Sequence, residues 1–256
     1  MEIRAVLFDL DNTLFDHPAS VRTGVRLFLE HVGVGCSQEL TSAWFRIEQA
    51  NYDRYLAKEL SFEEQRRERL REFLPLAGSD VPPTNWELDE LFAKYVQSYE
   101  EAWTAFPDAV STLRSIRAIG LPVGVVTNGN HKQQTAKISR TGLEGLLDGI
   151  FSSELMNHAK PEPEAFTLPC QSLNVLPSGT LYVGDNYRVD VEGARNAGLQ
   201  ALHLDRDGFK RKGTIQSLAE LPSLLAGTMR SDQSALLALP GRPPVTDRLS
   251  ACLKEH

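Results

Sequence analysis

The sequence predicts an α/β protein: a doubly wound (Rossmann-like) parallel sheet with an inserted α-helical cap domain. Three observations carry that expectation. Short, unbroken apolar runs recur along the 256 residues and end in a polar residue followed by turn chemistry, as strands buried on both faces do. Stretches of helical period lie between them, which is the alternation of a parallel sheet with crossovers. About a hundred residues separate the first run from the second, where a whole βαβ unit takes about 30.

Residues 3–8 are the first strand and stop at Asp9. Residues 122–126 precede Thr127, a weaker run at 147–151 precedes Ser152-Ser153, 180–183 precede Gly184-Asp185, and 201–204 end at Asp205. Helical stretches at 132–141, 163–173 and 190–196 have crossover length. In the long gap, residues 20–32, 38–56, 61–74 and 86–103 place apolar residues three and four apart. Gly33, Gly35, Gly78, Pro82 and Pro83 divide them. The expected organisation is a core of 1–15 and 105–229, a cap of 16–104 hinged near Phe15-Asp16 and Phe106-Pro107, and a tail of 230–256. Pro240, Gly241, Pro243 and Pro244 break that tail, which reads as a surface strap or a partly disordered end. The charged run 62–73 alternates in sign, with Glu63 and Arg67 one turn apart, and reads as a solvated helix face.

Composition narrows the function classes. With 41% hydrophobic and 24% charged residues, the chain can fill a core domain plus a smaller one. A net charge of -7 disfavours attraction to nucleic acid or anionic lipid. Cys36, Cys170 and Cys252 are few and far apart, giving neither a disulfide framework nor a zinc site. Asp9 arrives too early for a signal peptide, and no apolar run reaches about 18 residues. The expectation is a soluble, cytoplasmic monomer or homodimer whose partner is a small molecule, with no nucleic acid and no membrane.

The strand ends carry the chemistry. In Asp9-Leu10-Asp11-Asn12-Thr13 the two acids lie about 7 Å apart while the chain stays extended. That separation brackets one phosphoryl group, with Asp9 attacking phosphorus and Asp11 serving the leaving oxygen as acid and then base; the same letters also suit a simple turn. Thr127-Asn128-Gly129 offers a hydroxyl and backbone amides for phosphate oxygens, or merely a helix cap. Lys160-Pro161 is expected to start the helix after the weak strand and to set an ammonium against the carboxylates. Asp185 could hold Mg²⁺ together with Asp9. Asp190 could orient Lys160 or a metal-bound water, or favour a helix N-terminus.

These four signals, in order and each at a predicted strand end or helix start, resemble the haloacid dehalogenase superfamily of phosphohydrolases over residues 1–205. The resemblance implies Asp9 as nucleophile and Asp11 as acid/base. It implies Thr127 and Lys160 as phosphate binders, Asn128 as a backbone contact, Asp190 as a supporting acid, and Mg²⁺ held by Asp9, the Asp11 carbonyl and Asp185. The implied reaction is hydrolysis of a small soluble phosphate ester, a nucleotide or sugar phosphate, through an aspartyl-phosphate; the cap looks most like the nucleotidase and N-acylneuraminate-phosphatase branch. Members similar to the haloacid dehalogenases lack the second acid, so Asp11 favours phosphatase over dehalogenase, and a phosphomutase on the same core is the other alternative. Asp205-Arg206-Asp207-Gly208 repeats the acid spacing but reads as a turn. His17 stands beside the hinge as a candidate for substrate contact, and Arg22, Trp44, Arg46, Tyr52, Arg54 and Tyr55 as candidate lid contacts.

Overall fold

The computed structural model describes residues 2–208 and 213–230; from residue 231 onward the expected tail, with Cys252, lies outside them. Strand β1 (Ala5–Phe8) is followed by four helices, α1 (His17–His31), α2 (Gln38–Leu56), α3 (Phe62–Leu76) and α4 (Asn85–Glu101). Helix α5 (Ala109–Ala118) then leads into β2 (Val123–Thr127), α6 (His131–Arg140), β3 (Gly149–Ser152), the short α7 (Ser153–Met156), α8 (Glu164–Ser172) and β4 (Thr180–Gly184). A π-helical turn at Tyr187–Glu192, α9 (Gly193–Asn196), β5 (Gln200–Leu204), β6 (Thr214–Ile215) and α10 (Leu221–Arg230) complete the described chain.

All pairings are parallel and the strand order is β3-β2-β1-β4-β5-β6. The predicted sheet is therefore present, with β6 as an edge strand the sequence did not announce. Strands β1, β2 and β4 are buried throughout, which is why they read as unbroken apolar runs. The chain leaves β1 toward β2 on one side and returns to β4 on the other, so the carboxyl ends of β1 and β4 flank the switch point, where open α/β sheets bind ligands.

The inserted helices start where capping chemistry allows. Asp16 accepts from the Ala19 amide ahead of α1, Ser61 and Glu64 form a capping box on α3, and Thr84 and Glu87 form another on α4, each supplying partners to otherwise orphaned amides. Helices α1 and α4 come close at Gly24, where an added Cβ would stand 2.7 Å from the Tyr99 Cα. Trp44 is fully buried, with its ring 4.8 Å from Phe73 and 4.3 Å from Tyr95 and its Nε1 donating to the Tyr95 hydroxyl at 3.2 Å; it belongs to the core of the helical layer and drops out as a lid contact. The charged run also differs from expectation. Arg67 pairs with Asp89 of α4 at 2.7 and 2.6 Å rather than with Glu63, and Gln65 and Arg69 are buried, because one face of α3 packs against α2 and α4 while Glu63, Glu64 and Glu72 stay exposed as expected.

The two chain passages between sheet and inserted helices run side by side. Asp16 donates its amide to the Thr104 carbonyl, and Phe106 donates to the Leu14 carbonyl, both at 2.9 Å. Next to them Arg206 donates to both carboxylate oxygens of Asp108 at 3.0 Å and to the Thr13 carbonyl at 3.0 Å, its guanidinium 3.6 Å from the Phe106 ring centre. The turn after β5 is thus a structural clasp, as its Gly208 foretold. Asp108 also accepts from the Ser217 hydroxyl at 2.7 Å and the Leu218 amide at 3.0 Å. Burial opposes its ionisation, but the bonds from Arg206 and Ser217 hold the carboxyl below its ordinary value.

A depressed carboxylate stabilises the fold above its unfolded pKa, and the contribution is lost as pH falls through the folded value. Asp108→Asn is accordingly expected to cost about 2 kcal/mol at neutral pH. The gap from the parent should close below about pH 4, which denaturant titrations at several pH values would measure.

Candidate active site

Asp9 follows β1 directly, and its amide donates to the Val183 carbonyl of β4 at 2.9 Å, so the carboxylate is fixed between two strand ends. The next residues fold into a tight turn on the Leu10 carbonyl, which accepts from Thr13, Leu14 and Phe15. Asn12 takes the left-handed conformation at φ 65°, a place Asn tolerates. The turn and the site are thus one object, since the same turn aims Asp11.

Around Asp9 the predicted residues converge. Lys160, 6% exposed, donates from Nζ to Asp9 Oδ1 at 2.5 Å, to Asp190 Oδ1 at 2.8 Å and to the Tyr182 hydroxyl at 2.9 Å. An ammonium has three protons, and here all three are taken. Asp190 Oδ2 in turn accepts from the Asn186 amide at 3.0 Å. Gly184 permits this: a Cβ there would stand 2.5 Å from the Asp190 carboxyl carbon.

The expectation that Lys160-Pro161 opens a helix is corrected, for α8 begins at Glu164 with Pro163 at its cap position, and Lys160 lies on the loop before it. Asn128 holds that loop, its side chain accepting from the Lys160 amide at 2.8 Å and donating to the Lys160 carbonyl at 2.9 Å. The Gly129 amide, expected to be free for phosphate, already donates to the Ser153 hydroxyl at 2.9 Å. The expected helix 190–196 is also revised, being a π-helical turn that runs into α9.

Three residues of the site escaped the sequence reading. From α6, Lys137 Nζ donates to Asp11 Oδ1 at 2.6 Å, and Gln134 Nε2 donates to Asp11 Oδ2 at 2.9 Å and to Thr127 Oγ1 at 2.6 Å. Gln134 and Lys137 are three apart, hence on one helical face, which was the available signal. Tyr182, on β4, is the third.

Electrostatics sorts the acids. Burial pushes Asp9 up to about 8 against the pull of Lys160, with Asp190 and Asp185 adding to the rise. Burial and Asp190 likewise push Asp185 up to about 6. Burial opposes ionisation of Asp11 too, yet Lys137 and His17 hold it below its ordinary value. For Lys160 burial works against the charge, and Asp9, Tyr182 and Asp190 together more than offset it, holding the ammonium well above its ordinary value.

One carboxylate oxygen from each of Asp9, Asp185 and Asp190 lies within 4.8 Å of the others. Crowded carboxylates, with Asp9 and Asp185 raised, and oxygen-only donors fit a hard divalent cation of the Mg²⁺ kind. Both Asp190 oxygens are engaged, whereas Asp9 keeps one oxygen outside its bond to Lys160.

Residues 3–198 match the family described as haloacid dehalogenase-like hydrolase. The chain is similar to (S)-2-haloacid dehalogenase 1 of Pseudomonas sp. (strain CBS-3), 29% identical over 87% of this chain and 96% of the relative. It is similar to ribulose-1,5-bisphosphate 5-phosphatase of Halopiger xanaduensis, 29% identical over 78% of this chain and 84% of the relative. Among solved structures, the putative hydrolase YfnB of Bacillus subtilis, bound to magnesium, superposes with a TM-score of 0.73 at 23% identity, covering 88% of this chain and 99% of that one. Among the described residues no helix is long and apolar enough to cross a membrane.

Proposed function

Because this chain belongs to the haloacid dehalogenase-like hydrolases, we propose that it is a Mg²⁺-dependent phosphatase of small phosphate esters in the cytoplasm, with residues 16–104 acting as its cap. The observation that carries the reading is the second acid. Asp11 lies beside the Asp9 cluster and is held by Lys137 and Gln134, a provision that a reaction without an alkoxide leaving group has no use for.

Asp9 attacks phosphorus through the carboxylate oxygen that Lys160 leaves free, and the ester oxygen departs as an aspartyl-phosphate forms. Asp11 gives the departing oxygen its proton, since a phosphate dianion arriving beside it disfavours the carboxylate form. It then takes a proton from the water that hydrolyses the intermediate. Lys160, locked by three bonds, balances the charge of Asp9 and Asp190; the Thr127 hydroxyl, which accepts from Gln134, keeps its own proton for a phosphate oxygen. Asp9, the Asp11 carbonyl and Asp185 would hold Mg²⁺, which would supply charge neutralisation for the dianion.

The similarity to a dehalogenase keeps halide release as the rival. The test is phosphate release from p-nitrophenyl phosphate with and without EDTA, alongside halide release from 2-chloropropionate. Phosphate release that falls at least about 100-fold on chelation is expected. Halide release with no phosphate release would overturn the reading, and phosphate release that survives thorough chelation would remove the metal from it.

A further inference from the structure

Above the acidic cluster the inserted helices present a second group of polar side chains. Helix α2 carries Glu48 and, one turn on, Tyr52 on the same face. From α3, Arg69 donates through Nη1 to Glu48 Oε1 at 2.8 Å, with side chains only 10% and 18% exposed. The Arg69 Nε is buried with no hydrogen-bond partner among the described residues. His17, first in α1, is 2.9 Å through Nδ1 from the Tyr99 hydroxyl and 3.9 Å through Nε2 from Glu48 Oε2.

This group faces the core site: Lys137, which holds Asp11 at 2.6 Å, stands 4.8 Å from the Phe15 ring centre, and that ring lies 6.5 Å from the rings of His17 and Tyr99. Tyr52 is 44% exposed there.

We propose that Glu48 and Arg69 form the leaving-group subsite and select phosphate esters whose alcohol is uncharged and hydroxylated over esters carrying a second carboxylate or phosphate. The proposal rests on the phosphatase reading above. Its basis is that three cations of the two groups are already committed: Lys160 to Asp9 and Asp190, Lys137 to Asp11, and Arg69 to Glu48. A second anion on the substrate would have to take Arg69 from Glu48 and leave a nearly buried carboxylate unpaired, which is strongly unfavourable. A hydroxyl meets no such obstacle, since it donates to a Glu48 oxygen and accepts from the guanidinium with the pair intact. His17 stands beside the pair, and burial lowers its pKa despite the nearby Glu48 and Asp11.

The experiment compares glycerol 3-phosphate with 3-phosphoglycerate, which differ by one carboxylate, using the full chain with Mg²⁺ and p-nitrophenyl phosphate as a general ester. The parent is expected to favour glycerol 3-phosphate in kcat/KM by at least about tenfold. Glu48→Gln should shrink that preference about tenfold, while Glu48→Asp retains it. Tyr52→Arg, at a half-exposed position that tolerates change, should shift the preference toward 3-phosphoglycerate and serves if the Glu48→Gln protein does not fold. Equal or reversed preference in the parent, or preferences in the folded variants that stay where the parent's is, overturns the subsite while p-nitrophenyl phosphate turnover leaves the phosphatase reading standing. Failure to release phosphate from all three esters overturns that reading, and the subsite with it.

Discussion

Asp9→Asn is expected to abolish phosphate release, lowering kcat/KM by at least about 10⁴-fold, without loss of fold. The amide keeps the shape of the side chain and an oxygen for the Lys160 ammonium, but it cannot attack phosphorus. Burial, with Asp190 and Asp185 at hand, raises the Asp9 carboxyl to about 8 despite Lys160. For an acid raised in the folded state, the stability it contributes is complete below its unfolded value and is lost as pH rises through the folded one. Between about pH 4 and pH 8 the unfolded parent ionises while the folded carboxyl keeps its proton, so the metal-free parent carries a growing penalty that the amide escapes. The variant should melt at or above the parent at pH 8 and show a flatter dependence on pH. Acid-quenched parent protein should carry one phosphoryl group by intact mass and the variant none. Parent-like phosphate release by the variant would take the nucleophile's role from Asp9.

Lys160→Met is expected to damage both fold and activity. Removing the ammonium leaves the buried carboxylates of Asp9 and Asp190 facing each other and deprives the Tyr182 hydroxyl of a donor. Breaking a buried ion pair from one side costs about 3–5 kcal/mol, and losing a cation from the reaction centre costs about 10³-fold in kcat. Lys160→Arg should not restore function, because a planar fork cannot reproduce three bonds from one nitrogen. Thermal or urea unfolding with phosphate-release kinetics measures both effects. Parent-like melting of the Met variant would mean that the three hydrogen bonds from Lys160 contribute little.

Much of the frame was legible because burial writes itself into composition. The runs that became β1, β2 and β4 are apolar on both faces and stop at Asp9, Thr127 and Gly184-Asp185, so strand and site were marked together. The helix at Ala109–Ala118 went unassigned although its buried Ala109, Leu113 and Ile116 have helical spacing. Lys160 was misplaced because prolines at 161 and 163 both suit a helix start. Gln134 and Lys137 were missed for a different reason: α6, the crossover from β2 to β3, is polar around most of its circumference, and only its bonds to Asp11 and Thr127 at the ends of β1 and β2 turn one polar face inward. Arg69 looked like a surface residue because its partner, Glu48, lies 21 positions away on another helix.

The side-by-side passages at Leu14–Asp16 and Thr104–Phe106 limit how the four inserted helices can travel. Each strand of this short ribbon is tethered to its neighbour, and the Arg206 clasp grips the ribbon's lower end through Thr13 and Phe106. Sliding or unscrewing one passage would tear its neighbour's bonds, whereas flexing both together about one line tears none. Any movement of the inserted helices against the sheet is accordingly expected to be a nod about that one line, which would carry Glu48 and Tyr52 along one arc relative to Asp11.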